Sequence, residues 1–199
     1  MIYLKNNVFE ESLERIRFVF DNHEDVVVGF SGGKDSNVLS HLIDVAVPGN
    51  TIPRVYCDTG IELSVVRDFV FEKAKTDSRI HVITPSKNIR KMLEEDGYPF
   101  KSKDHSKKVS TYLRQGRTPG IQTYLDETEY ASKVIEFRNG RYSCPKILRY
   151  QFYPEFRQYG IKISDKCCLR LKEEPLREWT KKMKYPYDII GVRHAEGGR

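Results

Sequence analysis

The sequence predicts a three-layer α/β fold, in which helices cover both faces of a parallel sheet. Two observations support this prediction. Short apolar runs rich in β-branched residues alternate with longer segments whose apolar residues recur at helical spacing. Strands that alternate with helices pair in parallel through right-handed crossovers, and these crossovers place helices on both faces. A glycine-rich turn also follows the first strand directly, where such sheets often bind ligands.

The first half of the chain supplies most of these elements. Residues 9–20 are predicted to form an amphipathic helix, because Phe9, Leu13, Ile16 and Phe20 fall on one stripe. Three strands are predicted at residues 26–30, 54–57 and 80–83, and three helices at residues 36–45, 63–74 and 88–95.

The second half is predicted to complete a single domain that covers residues 1–199. Residues 101–140 are polar and are interrupted around Gly116 and Pro119, so we expect a helical insert or lid there. Residues 142–159 carry regularly spaced aromatic residues, interpreted as a helix that packs against the sheet; base stacking is the alternative use. Residues 189–192 are predicted as a last core strand.

Composition and charge restrict the functional classes. The chain has 199 residues, of which 39% are apolar and 31% charged, a balance typical of a globular domain. No stretch reaches membrane-spanning length and the four cysteines lack the spacing of a secreted scaffold, so the cytoplasm is the expected location. The net charge of +6 divides into −4 for residues 1–100 and +10 for residues 101–199. The second half should therefore attract anions, either a nucleotide or a nucleic acid backbone.

The turn after the first strand is typical of a phosphate-binding loop. Its glycines can take positive φ and let a phosphate approach the backbone, while the amides at the start of the next helix carry partial positive charge. Hydroxyl donors and a lysine surround these glycines, whereas the aspartate needs a metal or the loop amides as partners. A solvated Gly-Gly turn is the alternative. The candidate ligands are Ser31, Gly32, Gly33, Lys34, Asp35 and Ser36.

A second segment with polar residues follows the second predicted strand. Asp58, Thr59 and Gly60 come directly after the apolar run that ends at Cys57, which we interpret as a core residue of that strand. Because the carboxyl ends of parallel strands lie at one edge, these three residues are predicted to face the same ligand as the loop. A helix cap formed by Asp58 and Thr59 is the alternative interpretation.

Both segments resemble known motifs. Residues 31–36 resemble the PP-loop of the adenine nucleotide alpha-hydrolase-like superfamily, and residues 58–62, Asp-Thr-Gly-Ile-Glu, resemble a segment of phosphoadenosine phosphosulfate (PAPS) reductases. The resemblance implies a Rossmann-like sheet with the PP-loop after the first strand, and an adenine nucleotide as ligand: PAPS, adenylyl sulfate (APS) or ATP. The Gly-Tyr-Pro and Ser-Lys order at residues 97–103 is similar to relatives in Firmicutes and their phages, and it adds Lys103 as an anion ligand.

The end of the chain resembles the adenylylsulfate-reductase branch. Cys167 and Cys168, followed by a basic Pro-Leu stretch, match a tandem pair that ligates an iron–sulfur cluster there, and Cys144 is a third candidate ligand. The Gly-x-Arg stretch assigns Arg193 to the nucleotide. The branch's later Cys-x-x-Cys has no counterpart before Arg199, so a shortened chain is expected. Two buried thiols are the alternative interpretation of the pair.

These resemblances imply thiol-dependent reduction of an adenylyl sulfate to sulfite, with a thioredoxin-like protein as the electron donor. An ATP-dependent sulfurtransferase that adenylates DNA or tRNA and requires Mg²⁺ is the first alternative. A module that binds a nucleotide or a nucleic acid without catalysis is the second. The oligomeric state stays open.

Overall fold

The computed structural model of the protein describes residues 7–126 and 144–191. The chain forms two compact units, one built from residues up to 89 and from residue 169 onward, the other from residues 90–168. The second unit extends beyond the polar insert that the sequence predicts at residues 101–140. Within the described residues, no helix has the length and apolar character that crossing a bilayer requires.

The described helices follow the predicted alternation with strands in the first half of the chain. One turn of π-helix, Leu169–Glu173, and two 3-10 helices, Lys146–Phe152 and Pro154–Tyr159, occur in the second half. The α-helices are α1 (Val8–Asn22), α2 (Lys34–Ala46), α3 (Ser64–Thr76), α4 (Ile89–Asp96), α5 (Lys103–Gln115), α6 (Pro119–Asp126) and α7 (Glu174–Met183).

The first unit contains an all-parallel sheet of four strands in the order β3-β2-β1-β4. In register, Val28 lies opposite Arg54 on one side and Ile189 on the other. The chain runs from β1 outward to β3 and then returns to the other side of β1, so the switch point lies between β1 and β4. This sheet confirms the predicted fold class. The strands are β1 (Val26–Gly29), β2 (Arg54–Cys57), β3 (Ile80–Ile83) and β4 (Tyr187–Ile190).

Helices cover both faces of the sheet. On one face, α1 and α2 bury Ile16 and Ile43 against Val28, and α3 buries Val70 in a cluster that also contains Ile80. Side chains alternate along a strand, so His81 points to the opposite face from Ile80. There the His81 ring lies 5.3 Å from the Trp179 ring of α7.

An ionic network fixes the amino ends of β2 and β3. The Arg54 guanidinium is fully buried and pairs with Asp44 at 2.8 Å, and Arg79 pairs with the same carboxylate at 2.7 Å. Arg79 also pairs with Asp77 at 2.8 Å. Each buried charge therefore has an opposite charge in contact, which offsets its loss of hydration.

The prediction of a last core strand at residues 189–192 is wrong in two respects. The strand spans Tyr187–Ile190, and it pairs only with β1 among the described strands. Tyr187 and Ile190 keep 49% and 55% of their surface exposed. The apolar run Ile189-Ile190 gives no sign of this, because position at a sheet edge depends on strand order.

The prediction that residues 142–159 form a helix packed on the sheet is also wrong. The described part consists of the two 3-10 helices, and their buried residues Phe152 and Phe156 join the core of the second unit. This core also contains Val109 of α5 and Ile121 of α6. The polar residues of the insert therefore enclose a hydrophobic cluster of their own.

Candidate nucleotide-binding site

Hydrogen bonds from its own side chains stabilise the conformation of the loop between β1 and α2. The Ser31 hydroxyl donates to Ser36 Oγ at 3.1 Å and accepts from the Gly33 amide at 3.3 Å. Asn37 Nδ2 donates to the carbonyls of Gly32 and Gly33, both at 2.9 Å. The first amides of α2 have no acceptor within the helix, as at any helix start, and such amides can bind an anion.

The two loop glycines serve different purposes. Gly32 has a φ of +73°, and a Cβ there would lie 2.4 Å from Val70 Cγ2 and 3.0 Å from Val66 Cγ1. Gly33 has a φ of −76°, and a Cβ there would meet only Ser31 Oγ, at 3.4 Å. The fold thus requires glycine at position 32 and not at position 33. At Gly33 the absence of a side chain leaves room for a ligand to approach the backbone closely.

A third glycine lies at the switch point of the sheet, between the end of β4 and the start of α2. Gly191 follows β4, and a Cβ there would lie 3.1 Å from the backbone carbonyl oxygen of Asp35. The end of β4 therefore runs directly beside the first turn of α2. Ligands of open α/β sheets bind in this crevice, where the strand order reverses.

The loop after β2 is organised around Glu62. The Thr59 hydroxyl donates to the Glu62 carboxylate at 2.7 Å, the Thr59 amide donates to it at 3.1 Å, and Lys172 pairs with it at 3.3 Å. Burial disfavours the charged carboxylate, but the bonds from Thr59 and the charge of Lys172 outweigh it and lower the pKa of Glu62. Glu62 is therefore ionised, and it holds Lys172 at the carboxyl end of the sheet.

Asp58 does not cap a helix. Its carboxylate accepts from the Gly60 amide at 3.2 Å and pairs with Arg67 at 3.0 Å. The helix α3 begins only at Ser64. The alternative interpretation of Asp58 and Thr59 as a helix cap is therefore wrong, because the intervening residues form a separate loop.

An open cavity of about 300 Å³ lies at the carboxyl ends of β1, β2 and β4. Its volume is at the lower end of the range for small-molecule sites, about 300–1,000 Å³. The loop hydroxyls and the Glu62–Lys172 pair form its polar wall, and the remaining wall is mostly apolar. The lining consists of Gly29, Phe30, Ser31, Ser36, Val55, Tyr56, Cys57, Glu62, Lys172, Leu176, Ile190 and Gly191.

Cys57 is not the core residue that its strand position suggests. It is half-buried and lines the cavity, and its thiol donates to the Leu171 carbonyl at 3.0 Å. Burial, together with the negative charge of Glu62, raises the pKa of the Cys57 thiol to about 11. The thiol is thus protonated at neutral pH and is a poor nucleophile.

The remaining predicted ligands divide between the units. Lys34 and Asp35 form the first turn of α2, and Lys34 is exposed, with no ion pair to any described residue. Lys103 is exposed at the start of α5 in the second unit, so its part in nucleotide binding stays a prediction. Arg193 lies outside the described residues.

The cysteine pair lies in the second unit. Cys167 and Cys168 are half-buried, and burial together with the adjacent Cys168 thiol raises the pKa of Cys167, while the charge of Lys103 lowers it. Cys144 is completely buried in the hydrophobic core. In the described parts of the chain, no three His, Cys, Asp or Glu side chains are arranged to hold a metal ion. Cluster ligation by these cysteines stays a prediction.

Sequence reasoning overlooked three contributors to the cavity. Glu62 stands in a Thr-x-x-Glu spacing with Thr59, which signals a local hydrogen bond. Lys172 follows the cysteine pair and Gly191 follows the last strand, and neither position shows locally that it reaches the PP-loop region. Only the return of the chain to β1 brings them there.

The fold and the loop define an α/β protein with a glycine loop of the phosphate-binding type at the carboxyl edge of its sheet. Residues 25–131, more than half of the chain, match the family model of the phosphoadenosine phosphosulfate reductase domain. The chain therefore belongs to the PAPS reductase domain family. The matched range includes the PP-loop and the segment from Asp58 to Glu62.

Two curated proteins resemble shorter parts of the chain. A GMP synthase (glutamine-hydrolyzing) from Thermosipho africanus is 44% identical over 52 residues, 26% of this chain and 10% of the synthase. An uncharacterized protein from Methanocaldococcus jannaschii is 36% identical over 72 residues, 36% of this chain and 17% of that protein. The chain thus spans less than a fifth of the length of either relative.

Proposed function

We propose that the protein is an enzyme that binds an adenine nucleotide, with the phosphate or sulfate end on the loop from Ser31 to Ser36. The observation that carries this proposal is the bare Gly33 backbone beside the unpaired amides of α2, in a chain of the PAPS reductase domain family. Lys34 supplies positive charge, and Lys172, paired with Glu62, supplies further hydrogen-bond donors. The apolar walls formed by Phe30 and Leu176 suit the adenosine part.

The proposed reaction is thiol-dependent reduction of an adenylyl sulfate. A cysteine thiolate attacks the sulfate sulfur, the S–O bond to the nucleotide breaks, and the adenosine phosphate leaves with the electron pair of that bond. A second thiol, from a thioredoxin-like dithiol, attacks the cysteine sulfur, so that sulfite leaves as the two thiols become a disulfide. The protonated Cys57 is unsuited to the first step, so we assign no described residue as the nucleophile.

ATP-dependent sulfur transfer to DNA or tRNA is the second candidate. Two observations favour it. The GMP synthase that resembles part of this chain is named as a synthase and not as a reductase. Cys57, the cysteine among the described lining residues of the cavity, is protonated and therefore unsuited to the thiolate attack of a reductase. In this reaction the loop would hold the pyrophosphate end of ATP, and the Mg²⁺ bound to ATP would neutralise it.

Calorimetry of nucleotide binding tests the shared part of both candidates. Gly33→Val should abolish binding of PAPS, APS and ATP, because its branched side chain occupies the position of the phosphate. Gly120→Val is the matched control in the second unit, where a Cβ would contact only the flexible end of Lys108. A folded Gly33→Val protein that binds as tightly as the parent would refute the site.

Two assays on one preparation separate the reactions. Sulfite release from PAPS or APS without a divalent cation, with a dithiol present, supports the reductase. Mg²⁺-dependent exchange of pyrophosphate into ATP supports the sulfurtransferase. Nucleotide binding with neither activity would instead favour the non-catalytic module.

A further inference from the structure

The side chains of the 3-10 helix Lys146–Phe152 lie in three rows along the helix. In a 3-10 helix, residues i and i+3 lie directly above one another, with a rise of roughly 6 Å between them. The inward row contains Leu148 and Gln151. Leu148 packs on the hydrophobic core, and Gln151 is buried with its Oε1 2.7 Å from His105 Nε2. This row anchors the helix to the second unit.

The second row faces solvent and is apolar and aromatic. Ile147, Tyr150 and Tyr153 keep 80%, 48% and 46% of their surface exposed. The Tyr150 ring is held by an edge contact with buried Phe156, with 5.6 Å between the ring centroids. Two exposed tyrosine rings one turn apart, of which Tyr150 is held by Phe156, offer flat faces to a ligand.

The third row leads into a cavity of about 200 Å³ within the second unit. Arg149 and Phe152 of this row line it, together with Tyr153, Leu125 and Arg117. Two guanidinium groups thus face one small space, and none of its described lining residues is a carboxylate. Arg117 lies in the short connection between α5 and α6, and it pairs with no described residue.

The surrounding charge has the same sign. Across both 3-10 helices Glu155 is the single acidic residue, against Lys146, Arg149 and Arg157. The half of the chain that contains them has a net charge of +10. An anion that enters the cavity is therefore favoured both by the two guanidiniums and by the wider field.

We infer that this surface binds single-stranded nucleic acid, with a backbone phosphate in the Arg117–Arg149 cavity and adjacent bases stacked on Tyr150 and Tyr153. The arrangement meets both requirements of such sites, a positive path for the backbone and exposed aromatic faces for unpaired bases. Duplex nucleic acid offers phosphates but keeps its bases stacked inside the helix, so the tyrosines favour single strands. The site belongs to the second unit alone and does not depend on the PP-loop.

Fluorescence anisotropy with a labelled oligothymidylate of about twelve nucleotides, within the range of single-strand site sizes, tests the inference. Tyr150→Ala should weaken binding roughly 5- to 150-fold, the measured range for one stacked base, while Tyr150→Phe should retain it. Arg117→Gln should reduce the slope of log K against log salt by about 0.7, the value for one phosphate contact on a single strand.

Arg114→Gln is the matched control for Arg117→Gln. It removes the same charge from an exposed arginine that, among the described residues, bonds the Ser110 carbonyl alone and does not line the cavity, so the salt slope should stay unchanged. All variants should unfold at the temperature of the parent.

Three results would overturn the inference. The first is an equal loss in Arg114→Gln and Arg117→Gln, which indicates non-specific attraction. The second is duplex DNA that binds as tightly as the single strand. The third is inorganic polyphosphate that binds as tightly as the oligothymidylate, with neither ligand affected by Tyr150→Ala.

Discussion

Replacing each loop glycine by alanine should separate folding from ligand binding. In Gly32→Ala the new methyl group would lie 2.4 Å from Val70 Cγ2, and the residue would keep a φ of +73°. The left-handed conformation costs about 1–2 kcal/mol for an L-residue with a side chain. Forcing a methyl group into a packed site costs about 1–3 kcal/mol more. We therefore expect Gly32→Ala to lower the free energy of unfolding by about 2–5 kcal/mol.

Gly33→Ala should behave in the opposite way. Its φ of −76° suits any residue, and the added methyl group meets only Ser31 Oγ at 3.4 Å. Stability should stay within about 0.5 kcal/mol of the parent, as for a surface substitution. Nucleotide affinity should fall roughly 10- to 150-fold, which corresponds to the loss of one charge-assisted hydrogen bond of about 1.5–3 kcal/mol.

Urea unfolding and calorimetric titration measure the two effects on the same proteins. A double-mutant cycle adds a control for Gly32. In Gly32→Ala/Val70→Ala the Val70 methyl group that clashes with the new side chain is gone. The double variant should therefore be more stable, by about 0.5–3 kcal/mol, than the sum of the two single effects implies. If Gly33→Ala destabilised the protein as much as Gly32→Ala, or bound nucleotide as well as the parent, the division of roles between the glycines would be refuted.

Three further predictions follow from the described residues. The bond from Arg79 lowers the pKa of Asp77 to about 2. The ionised carboxylate should therefore add about 2 kcal/mol to the free energy of unfolding above pH 4, and this contribution should be lost as the pH falls to 2. Asp77→Asn should remove this pH dependence in acid unfolding. Burial lowers the pKa of His105, so below about pH 6.5 the unfolded chain binds more protons than the folded chain and the free energy of unfolding should fall. His105→Gln should flatten this dependence of stability on pH. A proton resonance of His105 that titrates at or above pH 6.5 would contradict the prediction. Protein purified without oxygen should carry well under one iron–sulfur cluster per chain, and full iron and sulfide content would contradict this prediction.

The local pattern of the sequence was sufficient for the first three strands and their helices. Each strand is a short run with at least one β-branched residue, and the helices carry apolar residues at helical spacing, so local propensity and burial favour the same element. The PP-loop is equally local, because its glycines, its hydroxyls and the start of the following helix lie within six consecutive residues. The family match at residues 25–131 covers these same elements.

Two interpretations failed because periodicity does not specify a partner. Aromatic residues at regular spacing in residues 142–159 predicted packing on the sheet, yet Phe152 and Phe156 complete the core of the second unit. The apolar run Ile189-Ile190 predicted a buried strand, yet β4 is an edge strand of the sheet that the described residues form. Apolar spacing reports that a side chain is buried, not which element buries it.

Residues adjacent in the chain are therefore enough to predict the α/β class, the PP-loop and the family. How the cavity is completed depends instead on residues that are distant in the chain. Lys172 and Gly191 reach it because the chain returns to β1 after the second unit, more than a hundred residues beyond the loop. Strand order determines which distant residues meet at the carboxyl edge of the sheet. Strand order in turn depends on the packing of the whole unit and not on any local pattern.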